Sequence, residues 1–285
     1  MGNGFTRFPK FFSPRRIEQE ESIIDAEDSN GGFEYSDAFL HDNDARFVFN
    51  FICSAMDYGC IAANCVKSKG ARRVDGEWHT EAENLVDVSK FTICSKVLIN
   101  ACGPFADEPN KLTNQSTKHY HVFSKGIHLI VNRLTPHERV LTFFANDGRL
   151  FFIIPMRPKT CIGTTDARME SPYSSVTPED RQFVLENINA RLNLEKPLTE
   201  QDIVAERCGV RPLVVESSSE ESTDWIQLSR KHAIDVSNED RHISIYGGKL
   251  TDCLNVGEEV CDYVTDMGFA YPMRKRYGTE NRVVM

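Results

Sequence analysis

Between His242 and Val260 the chain reads HISIYGGKLTDCLNVGEEV. Ile243, Ile245 and Tyr246 form a short apolar run, Gly247-Gly248 breaks it, and Lys249 opens a helical pattern through Leu250, Leu254, Val256 and Val260. A strand that ends in a glycine pair and feeds a helix lets bare backbone N–H groups approach a ligand closely. Lys249 adds a cation there, which favours an anionic or electron-rich ligand. The same pattern also serves as an ordinary strand-to-helix turn, so on its own the segment leaves both readings open.

A chain of 285 residues can bury a large core and hold one or two domains. Its formal net charge of −9 argues against nonspecific nucleic-acid binding as the main role. The nine cysteines form no CxxC pair and no metal-spaced cluster with histidine. No metal site is therefore expected, and the cysteines read as reduced thiols of the core. No stretch is long and apolar enough to cross a bilayer. The start does not read as a signal peptide either, since Phe5 to Arg16 alternates aromatic, proline and basic residues. Met1-Gly2-Asn3-Gly4-Phe5-Thr6 fits a myristoylation pattern, one short enough to recur by chance.

Along the chain, Ser13-Pro14 signals a helix over 15–26, with proline at its first position. A strand over 33–36 follows the loop Asp28 to Gly32, and a helix over 42–58 carries Ala45, Val48, Phe49, Ile52 and Met56 on one face. A short strand is expected over 60–66, a hairpin at Asp75-Gly76, and a single strand over 91–100. Runs at 127–131, 140–144, 150–154 and 160–163 suggest an antiparallel meander. Thr177-Pro178-Glu179-Asp180 starts a helix that runs to about Leu192. Further strands are expected over 203–208 and 225–234, with a serine-rich acidic loop over 216–223 between them.

Four residues stand out as candidates for chemistry. His128 lies in the apolar strand Gly126-Ile127-His128-Leu129-Ile130, Arg211 follows a strand in Gly209-Val210-Arg211-Pro212, Arg230 follows Gln227-Leu228-Ser229, and Lys249 follows the glycine pair. Cations at strand ends suit a phosphate or carboxylate, and a histidine beside them can take a proton near neutral pH. Each has a plainer reading, a satisfied core histidine or a solvated cation, and only convergence in space separates the two. Gly163-Thr164-Thr165-Asp166 reads equally as a functional loop or a tight turn. Asn100-Ala101-Cys102-Gly103-Pro104 ends a strand at a glycine, where a ligand can come close to the backbone.

Seven runs, in order, carry a resemblance: Gly32-Phe33-Glu34-Tyr35-Ser36-Asp37, Asp44-Ala45-Arg46, Asn100-Ala101-Cys102-Gly103-Pro104, Lys125-Gly126-Ile127-His128, Ile162-Gly163-Thr164-Thr165-Asp166, Gly209-Val210-Arg211-Pro212-Leu213 and Gly247-Gly248-Lys249-Leu250-Thr251. Together they resemble the aerobic, FAD-dependent glycerol-3-phosphate dehydrogenases, from about residue 13 to residue 262. There are departures. The family's GxGxxG strand–turn–helix, which holds the FAD pyrophosphate, has no counterpart, since Gly2-Asn3-Gly4 neither follows a strand nor precedes a helix. The family's N-terminal arginine and tyrosine and its C-terminal helical domain also lack counterparts. Cys102 stands for a threonine, Phe105 for a tryptophan, and Asp252-Cys253-Leu254 for Thr-Tyr-Arg. The chain thus reads as the middle of such an enzyme, expected to hold FAD weakly.

The resemblance implies an α/β (α+β) fold: a mixed, largely antiparallel substrate-binding sheet with helices, plus a partial FAD-binding, Rossmann-like part. The expected divisions are an N-terminal loop and helix at 1–32, a partial FAD-binding domain at 33–106, a substrate-binding sheet domain at 107–240, and a C-terminal strand–glycine pair–helix and tail at 241–285. Ala101, Gly103, Gly247, Gly248, Lys249, Leu250 and Thr251 would line the cofactor. Arg211, Arg230, Lys249 and His128 would bind substrate, with His128, Arg211 and Lys249 as the catalytic set and His128 as the base. The implied reaction is oxidation of sn-glycerol 3-phosphate to dihydroxyacetone phosphate, with electrons passing to quinone. The location implied is cytoplasmic, with room for peripheral contact on the inner membrane face and for a homodimer. Two rival readings remain, a noncatalytic anion-binding fragment without flavin and an oxygen-using glycerol-3-phosphate oxidase.

Overall fold

A computed structural model describes residues 8–36, 44–217 and 231–269. In chain order the elements are β1 (Lys10–Phe12), α1 (Pro14–Glu20), β2 (Gly32–Glu34), α2 (Asp44–Asp57), β3 (Val66–Val74), β4 (Glu77–Asn84), β5 (Lys90–Ser95), β6 (Leu98–Asn100), α3 (Asp107–Leu112), β7 (His119–Asn132), β8 (Leu141–Phe144), β9 (Leu150–Met156), β10 (Lys159–Gly163), β11 (Ala167–Met169), α4 (Pro178–Asn189), β12 (Ala205–Glu216), β13 (His232–Ser237), β14 (His242–Gly247) and α5 (Cys253–Asp266). This is the mixed α/β composition expected. The chain divides into two compact units: Met1–Asn64, Lys125–Ala167 and Tyr173–Val210 form the first, and Cys65–Ser124, Arg168–Pro172 and Arg211–Met285 the second. Divisions fall within β7, β11 and β12, and the expected boundary at 106/107 lies inside the second unit.

The first unit holds the antiparallel run β7-β10-β9-β8. The alternation of β7 buries Ile127, Leu129 and Val131 on one face. There they join Ile153, Ile162 and the apolar face of α4, Val184 and Ile188, all at 0% exposure. A capping box fixes the start of α4: Asp180 N–H donates to Thr177 Oγ1 (3.3 Å) and Thr177 N–H to Asp180 Oδ2 (2.9 Å). The same Asp180 oxygen takes Lys125 Nζ at 2.6 Å in a pair buried at both ends, which ties the helix to β7.

In the second unit β3, β4 and β5 form an antiparallel sheet. Its first hairpin turns at Asp75-Gly76 with both residues at positive φ, as the sequence indicates. Trp78 of β4 is buried and donates Nε1–H to Asp240 O at 2.8 Å, anchoring this sheet to the turn between β13 and β14. β13 and β14 pair antiparallel, and β14 pairs parallel with β6.

Several sequence expectations are corrected. Helix α1 ends at Glu20 rather than Ala26 because Glu21 turns inward, at φ −140° and ψ 82°, to accept the Thr135 hydroxyl at 2.9 Å. The run 60–66 is not a strand: only Val66 belongs to one, and Ile61 is 95% exposed. The single strand over 91–100 is two, β5 and β6, which pair into different sheets. Lys249 does not open the helix. It is extended, and a 3₁₀ turn over Leu250–Asp252 precedes α5. The apolar face of α2 is not buried. The cysteines are free thiols, but only Cys161 is buried. The serine-rich loop and the start of the strand expected over 225–234 lie outside the described residues, apart from Glu216 and Ser217 and from residue 231 onward.

The sheet of the first unit generates a direct prediction. Ile162→Ala removes three buried carbons facing β7 and α4 and should lower unfolding stability by about 2–5 kcal/mol, read from urea denaturation; a loss under ~1 kcal/mol would mean that this layer is not the core of the unit.

Candidate functional site

In the second unit the parallel pairing of β6 with β14 sets His242 opposite Leu98 and Ser244 opposite Asn100. Both strands therefore end at the same sheet edge. Ala101-Cys102-Gly103 leaves one and Gly247-Gly248-Lys249 leaves the other. Ligands of open α/β sheets bind beyond the carboxyl ends of parallel strands, so two segments far apart in sequence leave the sheet on the side where that rule puts a ligand.

A buried polar network fixes both ends. Asn100 Nδ2 donates to Ala106 O (2.8 Å) and Asn110 Oδ1 (2.7 Å), while its Oδ1 accepts Cys102 N–H (3.2 Å). Asn110 Oδ1 also accepts the Ser244 hydroxyl (2.9 Å), and Asn110 Nδ2 donates to Tyr246 Oη (2.7 Å). Burial pushes the Tyr246 phenol's pKa up, keeping it neutral. Asn110 on α3 thus ties β6 and its following turn to β14 just before the glycines.

The glycine turn has its own support. Gly247 has φ +60°, and a Cβ there would collide with Val214; Gly248 has φ +86°, and a Cβ there would lie 3.2 Å from His232. Only glycine fits both demands at Gly247. Gly247 N–H donates to His121 Nε2 at 3.3 Å. The His121 side chain is wholly buried and packs against Tyr246, with ring centroids 5.0 Å apart and the planes tilted. Accepting through Nε2 puts the proton of the neutral ring on Nδ1. That atom has no hydrogen-bond partner among the described residues, and Asp107 Oδ2 stands 3.8 Å away. Burial, opposed by Asp107, pushes the His121 pKa below the ordinary 6.5, so the ring stays neutral and remains an acceptor.

The expected cofactor residues Ala101, Gly103, Gly247, Gly248, Lys249, Leu250 and Thr251 are thus brought to one edge. Ala101, Gly248, Lys249, Leu250 and Thr251 are exposed there, and no heavy atom lies within 4 Å of where a Cβ of Gly103 would stand. An open edge floored by backbone fits the flat ring of a flavin. The other candidates do not share that edge's unit throughout. His128 is in the first unit, half-buried on β7 opposite Gly163 of β10, where a Cβ would lie 3.1 Å from its ring. Arg211 is half-buried on β12 within the second unit. Arg230 lies outside the described residues.

Sequence reasoning passed over Asn110, Ser244, His121 and His232. A polar residue at every second position of β14, His242, Ser244 and Tyr246, was the available signal for a buried network rather than a plain core strand.

The pattern of the FAD-dependent oxidoreductases matches residues 3–225. The chain is 30% identical over 258 residues to the aerobic glycerol-3-phosphate dehydrogenase of Bacillus subtilis, an alignment covering 89% of this chain and 45% of that protein. It is 31% identical over 234 residues to the glycerol-3-phosphate dehydrogenase of Pseudomonas aeruginosa, covering 80% and 44%. Among solved structures, the glycerol-3-phosphate dehydrogenase of Bacillus halodurans complexed with FAD matches with a TM-score of 0.76 at 27% identity, over 94% of this chain and 51% of that one. Glycine oxidase from Geobacillus kaustophilus shares the fold at a TM-score of 0.62 and 16% identity, over 93% of this chain and 65% of that one. The chain spans about half the length of the curated glycerol-3-phosphate dehydrogenases from these bacteria.

His121→Phe keeps a ring in place but removes the acceptor of Gly247 N–H. It should cost about 1 kcal/mol or more in urea denaturation at neutral pH. The His121 contribution is fully present above the ordinary histidine value of 6.5 and is lost as pH falls toward its own lower value. The variant should accordingly lose less stability than the parent on acidification, and a parallel acid response in the two proteins would refute the assignment.

Proposed function

Since the chain belongs to the FAD-dependent oxidoreductase family, whose cofactor is FAD, we propose that it carries the substrate-binding and flavin-edge portion of a glycerol-3-phosphate dehydrogenase. The observation that supports this reading is that Ala101-Cys102-Gly103 and Gly247-Gly248-Lys249 follow two adjacent parallel strands on the carboxyl side of one sheet. The relatives of about 30% identity named as glycerol-3-phosphate dehydrogenases support the choice of substrate.

When bound, FAD supplies the acceptor for the hydride removed from C2 of sn-glycerol 3-phosphate, and the product is dihydroxyacetone phosphate. The chain's own residues are assigned what surrounds that step. Ala101, Gly103 and Gly247 to Thr251 hold the cofactor through backbone and small side chains. Lys249 stabilises negative charge beside them. Arg211 and Arg230 hold the substrate phosphate, for which guanidinium groups are suited, or orient the alcohol. His128 accepts the proton of the C2 hydroxyl, as a histidine can near neutral pH. Quinone is the proposed electron acceptor, with peripheral contact at the inner membrane face and a homodimer as the proposed setting. No described helix is long and apolar enough to cross a membrane.

The test is calorimetric titration of the protein with glycerol 3-phosphate, followed by dye reduction with added FAD. Arg211→Ala should weaken glycerol 3-phosphate binding about tenfold or more, the equivalent of one lost charged hydrogen bond of roughly 1.5–3 kcal/mol. A variant that binds as tightly as the parent removes Arg211 from the site. A parent that reduces no dye with saturating FAD and substrate favours the noncatalytic alternative.

A further inference from the structure

His232 opens β13 directly across from Gly247. Its Nδ1 lies 2.6 Å from Asp252 Oδ2 and its Nε2 2.9 Å from Glu259 Oε2. The second oxygens of both carboxylates are also held, Asp252 Oδ1 by Asn255 Nδ2 (2.6 Å) and Glu259 Oε1 by the Tyr263 hydroxyl (3.1 Å). Asp252, Asn255, Glu259 and Tyr263 follow one another at spacings of three, four and four, which is one face of a helix. A neutral imidazole has one N–H and can donate to only one of the two carboxylates; an imidazolium donates to both. Asp252 is also the last residue of the 3₁₀ turn, and its N–H donates to Lys249 O at 2.8 Å. The ring is thereby one hydrogen bond from the segment that follows the glycines.

We infer that His232 is a positioning residue: as an imidazolium bridging Asp252 and Glu259, it holds the first turn of α5 to β13 and so sets the geometry of Gly248 to Thr251. Its consequence for cofactor binding rests on the flavin reading of this edge. The groups facing the ring are Asp252 and Glu259 from the helical segment, with Tyr263 behind Glu259. Gly247 across on β14 contributes no charge, and Lys231 and Lys249 flank the site along the chain.

The hydrogen bond to Glu259, and then that to Asp252, raise the His232 pKa above the ordinary 6.5 against the opposing effect of burial. A raised folded-state value gives stabilisation that is fully present below 6.5 and lost as pH rises through the raised value. At the acid end the bond to His232, followed by that from Asn255, lowers the Asp252 pKa below 3.8, so the His232–Asp252 half of the bridge persists until that carboxylate is protonated. The turn is therefore held at pH below the raised His232 value and released as pH rises through it.

The experiment is a pH titration of the ¹⁵N-labelled 285-residue chain by NMR, begun below the ordinary histidine value of 6.5 and carried upward. The Gly248 and Lys249 amide signals should shift in one step with a midpoint above 6.5. That step should vanish in His232→Gln, and its midpoint should fall in Glu259→Gln, which keeps the histidine and only weakens its partner. No step in the parent, or an unchanged step in both variants, would overturn the proposal. A parallel fluorescence titration with FAD should show affinity falling several-fold across the same step. If the amides step but FAD affinity stays flat, the link from His232 to the cofactor fails. If FAD binds at no pH while the amides still step, the flavin reading fails and the positioning of the turn stands.

Discussion

Asn110 links the two strand ends on which the candidate site depends. Its side chain accepts from Asn100 and Ser244 and donates to Tyr246, so one residue of a short helix joins the last residue of β6 to β14. Such a network stabilises only when every member is satisfied, because a buried amide left without partners is costly. Here the amide uses its oxygen twice and its nitrogen once, and Asn100 closes the loop by holding Ala106 and Cys102. The edge beyond the network is open by contrast: Gly248, Lys249, Leu250 and Thr251 are exposed, and α5 buries no side chain. The satisfied polar network thus lies beside a rim whose residues are exposed.

Two histidines with opposed charge preferences flank the same glycine turn. Burial favours the neutral form of His121, which accepts from Gly247, while hydrogen bonds to Glu259 and Asp252 favour the charged form of His232. A neutral ring was needed where the donor is a backbone N–H, and a charged ring where both partners are acceptors. The segment Asp252-Cys253-Leu254, which departs from the pattern this chain otherwise resembles, gains a reason at its first residue, because Asp252 is the partner of His232.

Much of this was legible in the sequence where local chemistry decides the outcome. Asp75-Gly76 specified its turn, Thr177 and Asp180 their capping box, and the alternation around Ile127 its buried face. The glycine pair and Asn100 to Gly103 pointed to the edge, but the parallel pairing that unites them is a contact across more than a hundred residues that no local pattern records. The failures have the same origin. The runs 60–66 and 91–100 have strand composition, yet strand formation depends on a partner, and Ser95 and Leu98 pair into different sheets. Helix α1 stopped short of its pattern because Glu21 found Thr135. His121 and His232 were invisible as supports because their partners, Gly247, Asp252 and Glu259, lie far along the chain.

The central claim is that the ends of β6 and β14 form one flavin-binding edge. Mapping amide shifts of the labelled chain during titration with FAD tests it most directly. The account predicts perturbations concentrated at 101–103 and 247–251, growing together along one binding curve. Perturbations confined to other parts of the chain, or separate curves for the two segments, would contradict it.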